Sequence, residues 1–349
     1  MKSLIKEQIQ EAVSTLFLKL QKLNIDNGAI SEYNHMYLKK YIDNYSFYMA
    51  IYSQLLLKAI NKLKKPVSES TFIDYGGGCG MLSYLSREIG FKTVVYNDIY
   101  QISVDDTKTI SNKLDLKIDF YICGDIEEFI NQINKENIKP DLICSFDVLE
   151  HIYNLEKWFK SLTYLKNEFS LIFTTNANPY NPIISHRLKK LQRKAEYKGL
   201  EKAQGWKEID SSTSFLESRE MIIRNKYPKL RDNEIELLST KTRGLRKDDI
   251  ENAVEDYIKT GKIIYQINHP TNTCDPYTGN WTENLINLEQ LEKIVIKNNL
   301  TFNISNSFYS YSNNKILNIP KLLLNQIIRA LGTAHLFFSP SYTLEIQKE

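Results

Sequence analysis

A doubly wound α/β domain is the fold this sequence predicts, and three observations predict it. Short β-rich runs alternate with helical segments over residues 71–175. A glycine cluster, Gly76 to Gly80, stands where the first run should turn into a helix, and the alternation resumes beyond Trp281. A chain of 349 residues has room for one such domain plus additions.

The first element is helical. Leu4, Ile5, Ile9, Val13, Leu16, Phe17 and Leu20 recur at three- and four-residue spacing among lysines and glutamines, unlike the unbroken apolar core of a signal peptide. Asp26, Asn27 and Gly28 supply turn chemistry, and a second helix is expected over 31–63, ended by Pro66. Its residues Tyr33, Tyr37, Tyr41, Tyr45, Tyr48 and Tyr52 form one stripe, which packs against a core or turns a hydroxyl toward a ligand. Strands are expected at 71–75, 93–97, 118–122, 141–145 and 170–174, with a helix at 81–89 behind the glycines. Residues 176–281 break the rhythm with charged helical segments at 186–202 and 248–259, the mark of an insertion. Beyond it come a helix at 288–298, a strand near 300–309, a helix at 320–331 and a strand near 341–346.

Composition narrows the classes. With 42% hydrophobic and 25% charged residues the chain can bury a large core, and 45 basic against 42 acidic side chains give no support for a nucleic-acid partner. Cys79, Cys123, Cys144 and Cys274 are scattered without a CxxC pair, so they read as reduced apolar residues, and no metal site is expected. No run of 18 apolar residues occurs, so stable membrane insertion is not expected and a cytoplasmic location is, with an interfacial role for the first helix left open.

The strongest signal is Asp74-Tyr75-Gly76-Gly77-Gly78-Cys79-Gly80. Glycines there let the backbone turn tightly and approach a ligand, and the helix start behind them favours an anionic group. A dinucleotide fingerprint would need a third glycine where Met81 stands, and a phosphate-binding loop would need Gly-Lys-Ser/Thr, which does not follow. What remains is Asp-x-Gly-x-Gly-x-Gly on Asp74, Gly76, Gly78 and Gly80. Asp98 ends the next strand, where a carboxylate can accept both hydroxyls of a ribose.

These residues resemble the first motif and the following acidic motif of class I S-adenosylmethionine-dependent methyltransferases. The likeness extends through Gly124-Asp125-Ile126, similar to the stretch that holds adenine, although Asp125 reads equally as a helix N-cap. It continues through Ser145-Phe146-Asp147-Val148-Leu149-Glu150-His151, which resembles the VLEH segment of small-molecule methyltransferases of ubiquinone and menaquinone biosynthesis. The resemblance implies S-adenosyl-L-methionine as cofactor, held by Asp74, Gly76, Gly78, Gly80, Asp98, Asp125, Ile126, Ser145 and Phe146. It also implies a Rossmann-like seven-stranded sheet with its last strand antiparallel.

Around that core the expected organisation is an N-terminal helical extension at 1–66, the cofactor domain at 67–175 and 282–349, and a cap or interaction region at 176–281. His151 is the candidate general base; Asp147 either orients it or is the base itself. In resembling enzymes a preceding helix closes over the methionine end, which makes Tyr33, Tyr37 or Tyr41 candidate contacts. His269 and Trp281, in a turn-rich return to the core, either contact substrate or serve structure. The basic run at 186–202 reads as a solvated face or an anion site. The expected reaction is O-methylation of a small molecule or glycan. The alternatives are N- or C-methylation, or a cofactor-binding module without turnover. The oligomeric state is not legible.

Overall fold

The computed structural model describes residues 2–25, 28–199, 213–267, 269, 271–310, 315–331 and 336–348. The turn assigned to Asp26 and Asn27, and the end of the basic run at Lys202, lie outside them. The chain divides into two compact units: Met1–Leu149, Leu155–Asn176 and Leu288–Glu349 form the first, Glu150–Asn154 and Ala177–Asn287 the second.

The first unit is built on a seven-stranded sheet in the order β3-β2-β1-β4-β5-β7-β6. Its strands are β1 (Thr71–Tyr75), β2 (Thr93–Asp98), β3 (Phe120–Cys123), β4 (Leu142–Phe146), β5 (Phe169–Thr175), β6 (Thr301–Asn306) and β7 (Tyr342–Lys348). β1 to β5 pair in parallel, and β7 runs antiparallel to both β5 and β6. Val, Ile, Phe and Leu fill the central strands, and all seven residues of β5 are buried, as a sheet covered on both faces requires. Strand β3 starts at Phe120, two residues later than expected. Before it, Asp119 already joins the edge of β2 by accepting from the Val94 amide at 2.9 Å and donating its own amide to the Val94 carbonyl.

Helices α1 (Lys2–Lys22), α2 (Glu32–Asp43), α3 (Tyr45–Ile60), α4 (Met81–Ile89), α5 (Gln101–Leu114), α6 (Ile126–Lys135) and α7 (Leu155–Leu162) belong to this unit. The single helix expected over 31–63 is therefore two. Asn44 turns its side-chain amide back onto the Lys40 carbonyl at 3.0 Å and adopts φ −116°, a local bond that competes with the helical ladder. Ile9, Leu16 and Leu20 of α1, Leu55 and Leu56 of α3, and Leu82 and Leu85 of α4 share one apolar cluster with Phe72 and Val94 of the sheet.

In the second unit lie α8 (Pro182–Lys198), α9 (Phe215–Lys226), α10 (Asp232–Lys241) and α11 (Lys247–Thr260). The chain enters it after β4 and again after β5. Returning to the first unit, it forms α12 (Leu288–Lys297) and α13 (Lys315–Ala330). Pro320, expected at the start of the last helix, lies inside α13.

Candidate active site

The glycine loop follows β1 as expected, and its acids do different work. Asp74 is buried; its Oδ2 accepts the Ser83 amide at 2.9 Å and the Ser83 hydroxyl at 2.7 Å, satisfying a free donor in the first turn of α4. Burial pushes its carboxyl up to about 7, against the two Ser83 bonds and with the neighbouring Asp98 charge. Asp98 closes β2. One oxygen accepts the Gly78 amide at 3.0 Å and the other the Tyr100 amide at 2.9 Å, so the carboxylate holds the loop.

Two glycines explain why the loop needs them. Gly80, at φ +81°, caps α4 where a side chain would run into Thr107 and Tyr84. Gly78, at φ +55°, has its carbonyl held by Tyr96 and Thr107, while the space a Cβ would enter is open to 4 Å. That open cradle, beside the Asp98 carboxylate, fits the amino acid and ribose parts of a nucleoside-linked ligand. Further along the sheet edge, Asp125 caps α6, with Oδ1 accepting from Glu127 and Glu128, and Ile126 is buried behind it. Ser145 of β4 is buried, and its hydroxyl has no hydrogen-bond partner among the described residues. Phe146 stands edge-on to Tyr52 at 5.6 Å.

The tyrosine stripe divides with the helix. Tyr52 donates to Tyr41 at 3.0 Å, and Tyr41, tilted against Tyr48 at 4.3 Å, feels the charge of Asp147 and the Cys79 thiol; burial pushes its hydroxyl well above the usual range. Burial is also the main cause of the rise at Tyr33, which pairs with Tyr37 and feels the Asp98 charge. Tyr37 itself is exposed. What holds α2 here is a cluster sequence reasoning missed. Asp106 of α5 accepts the Ser31 amide and hydroxyl and, at 2.7 Å, the Asn34 side-chain amide. Ser31 at a helix start was a visible cap signal; nothing marked Asp106 as its partner.

Asp147 adopts φ +53°, and its two oxygens accept the backbone and side-chain amides of Asn176, each at 2.8 Å. It thus ties the end of β4 to the end of β5.

In the second unit, His151 lies in a short 3-10 turn, Leu149–His151, and its Nδ1 meets the Trp281 carbonyl at 2.8 Å. A carbonyl only accepts, so Nδ1 carries the proton and Nε2 keeps its lone pair. Trp281 thus makes the bond that orients the imidazole, a part the sequence had offered to Asp147. The Trp281 indole donates to the Tyr153 carbonyl at 3.1 Å and stacks on the Tyr153 ring. Both aromatics line a groove of about 520 Å³ with Asp249, Asn252, Asp256 and Gln266. The Nδ1 of His269 accepts the Thr271 amide at 3.3 Å, which holds the ring in its own turn, and burial lowers its pKa.

Fold and loop define a nucleotide-binding α/β enzyme whose acid-glycine signature is that of class I methyltransferases. The model of the methyltransferase domain family matches residues 46–237, more than half the chain, and the protein belongs to that family. It is a class I S-adenosylmethionine-dependent methyltransferase, with S-adenosyl-L-methionine as its cofactor. No curated protein matches. Among solved structures, an S-adenosylmethionine-dependent methyltransferase from Mesorhizobium loti is 10% identical, with TM-score 0.39 over 86% of this chain and 98% of that one. The plantazolicin methyltransferase BpumL in complex with SAH is 16% identical, with TM-score 0.39 over 99% of both chains. Among the described residues no helix is long and apolar enough to cross a membrane.

Proposed function

We propose that the protein methylates a hydroxyl of a small molecule or glycan, and that His151 is its general base. The observation that carries this reading is the Nδ1 bond to Trp281: it leaves Nε2 as an acceptor, which an alcohol needs and a neutral amine needs less. The groove beside it, with an aromatic pair, amides and carboxylates, suits a polyol. A cytoplasmic setting belongs to the same reading.

Bound S-adenosylmethionine supplies an electrophilic methyl on a sulfonium, so the protein has mainly to align the acceptor oxygen and exclude water. Asp98 would hold the ribose diol, Gly76, Gly78 and Gly80 the amino acid end, and Asp125 with Ile126 the adenine. Ser145 and Phe146 would complete the wall. Asp74 would act by positioning the loop through Ser83. The Tyr41 hydroxyl, whose oxygen already accepts from Tyr52, has its own proton to donate to a ligand. His151 would take the acceptor's proton at Nε2 as the acceptor oxygen gains the methyl and the S–CH3 bond breaks, S-adenosylhomocysteine leaving as the neutral thioether, with the Trp281 carbonyl steadying the resulting imidazolium. Asp147 would set the loop that leads to His151. The second unit would carry the acceptor, through Trp281 and neighbouring groove residues.

A panel of sugar nucleotides, glycans and small alcohols, assayed for S-adenosylhomocysteine release, would supply an acceptor. His151→Ala should then lower kcat about 10²- to 10⁴-fold, leave cofactor affinity unchanged and remove the acidic limb of the pH profile. Near-normal turnover in that variant would overturn the assignment.

A further inference from the structure

Helix α13 carries an apolar stripe on its exposed face and polar anchors on its inner one. Asn325 is 3% exposed and exchanges two hydrogen bonds with the Tyr309 backbone, and Lys321 donates inward to the Ser310 carbonyl at 2.9 Å. Ile328 is buried beside them, but four apolar side chains take the opposite face: Ile319 is 62% exposed, Leu323 55% and Leu322 46%, with Ile327 beside them and Phe337 following the helix. Positions 319, 322, 323 and 327 fall on one face of a 3.6-residue repeat, so these side chains form a continuous patch and not scattered exceptions. A surface helix ordinarily places its polar stripe in water, and an exposed patch of this kind marks an interaction site.

Charge says what covers it. Helix α13 carries no Asp or Glu, and Lys315, four residues before Ile319, and Arg329, seven after Leu322, fall on the apolar face by the helical repeat. A second copy docked on this face by a two-fold axis would bring the same cations against one another. An anionic surface would not. An apolar face flanked by lysine and arginine, on a helix that cannot cross a bilayer, is the pattern of a helix lying in the plane of a membrane interface.

We propose that α13 docks the enzyme on an anionic lipid surface, with Ile319, Leu322, Leu323 and Ile327 entering the interface and the basic positions at the two ends of that face meeting the headgroups. The inference stands apart from the identity of the methyl acceptor.

The test uses the full chain and vesicles of phosphatidylcholine alone or mixed roughly two to one with phosphatidylglycerol, read by co-sedimentation. Binding to the mixed vesicles, weak binding to the neutral ones and loss with added salt are expected. The Leu323→Asp, Ile327→Asp double variant should lose at least about tenfold in partitioning, since it places two charges in the apolar layer. Leu323→Trp, which keeps an apolar side chain suited to the interface, should bind as tightly or more so, with an unchanged melting temperature as the folding control. No binding to the mixed vesicles, or binding indifferent to the aspartates, overturns the proposal. A concentration-dependent dimer that the same aspartates dissociate also overturns it, and assigns the face to a second copy.

Discussion

The two units hold themselves together by different chemistry. In the first, one apolar cluster runs through α1, α3, α4 and the sheet. Among the described residues the second has smaller clusters, one of Ile222, Ile223, Ile235, Leu238, Ile250 and Val254 and one of Ala177, Leu188 and Leu285, and with them a buried polar network. Arg219 is fully buried; it donates to Glu196 at 2.5 and 3.3 Å and to the Ser239 carbonyl at 2.7 Å, while Thr273 donates to Glu196 at 2.7 Å. Gln192 joins Thr271, Asn272 and the Glu283 carbonyl. Apolar burial is tolerant of exact partners, whereas a buried ion pair is strongly destabilised when one member is removed. The first unit should therefore absorb change, and the second should depend on a few atoms.

The largest test of that contrast is Arg219→Ala, which strands Glu196 and should cost the second unit about 3–5 kcal/mol. Denaturation followed by hydrogen exchange should show α8, α9 and α10 losing protection while β1 to β5 keep theirs; joint loss would dissolve the distinction between the two cores. Arg219→Met with Glu196→Met should cost much less, because it removes both charges together.

Asp98→Ala probes the first unit at its polar edge. S-adenosylhomocysteine affinity should fall several-fold to about a hundredfold, from one or two charge-assisted hydrogen bonds worth about 1.5–3 kcal/mol each. Calorimetry showing unchanged affinity would remove Asp98 from the ribose site.

A further effect is expected on pH dependence. Because burial raises Asp74 to about 7, above the value of about 4 for an unfolded chain, the folded protein binds the extra proton between those limits. This group's contribution to stability should be fully present below pH 4, fall as pH rises through about 7, and stay lost above it. Asp74→Asn keeps an acceptor for Ser83 and removes the titration, so stability measured across that window should flatten. An unaltered slope would place the titration elsewhere.

Most of the first unit was legible because its signals are local. Five apolar runs spaced by helical stretches can form little else than a parallel sheet, and Asp74, the glycines and Asp98 mark its ligand edge in their own spacing. The break at Asn44 was not, since the tyrosine stripe continues through it and the deciding bond is one side-chain amide. Nor was the inward use of Asp74, which depends on Ser83 lying one helical turn into α4. The network around Arg219 joins residues far apart in the chain, and a lone arginine in a charged helix reads as solvated until Glu196 and Thr273 are beside it. His151 was visible as a candidate, but Trp281 as the group that orients it was not, for they stand 130 residues apart.

Strand β7 sits between β5 and β6, and β6 has no other neighbour in the sheet. During synthesis the strands from β1 to β5 can assemble early, but β5 then presents an open edge while the whole second unit, β6 and α13 are made. At ordinary rates of about 5–20 residues per second, that edge waits roughly ten to thirty seconds for its partner. β6, though made sooner, has nothing to pair with until β7 arrives. The sheet is thus closed by its last-made strand, and the newborn chain spends that interval exposed to other strands as well as its own.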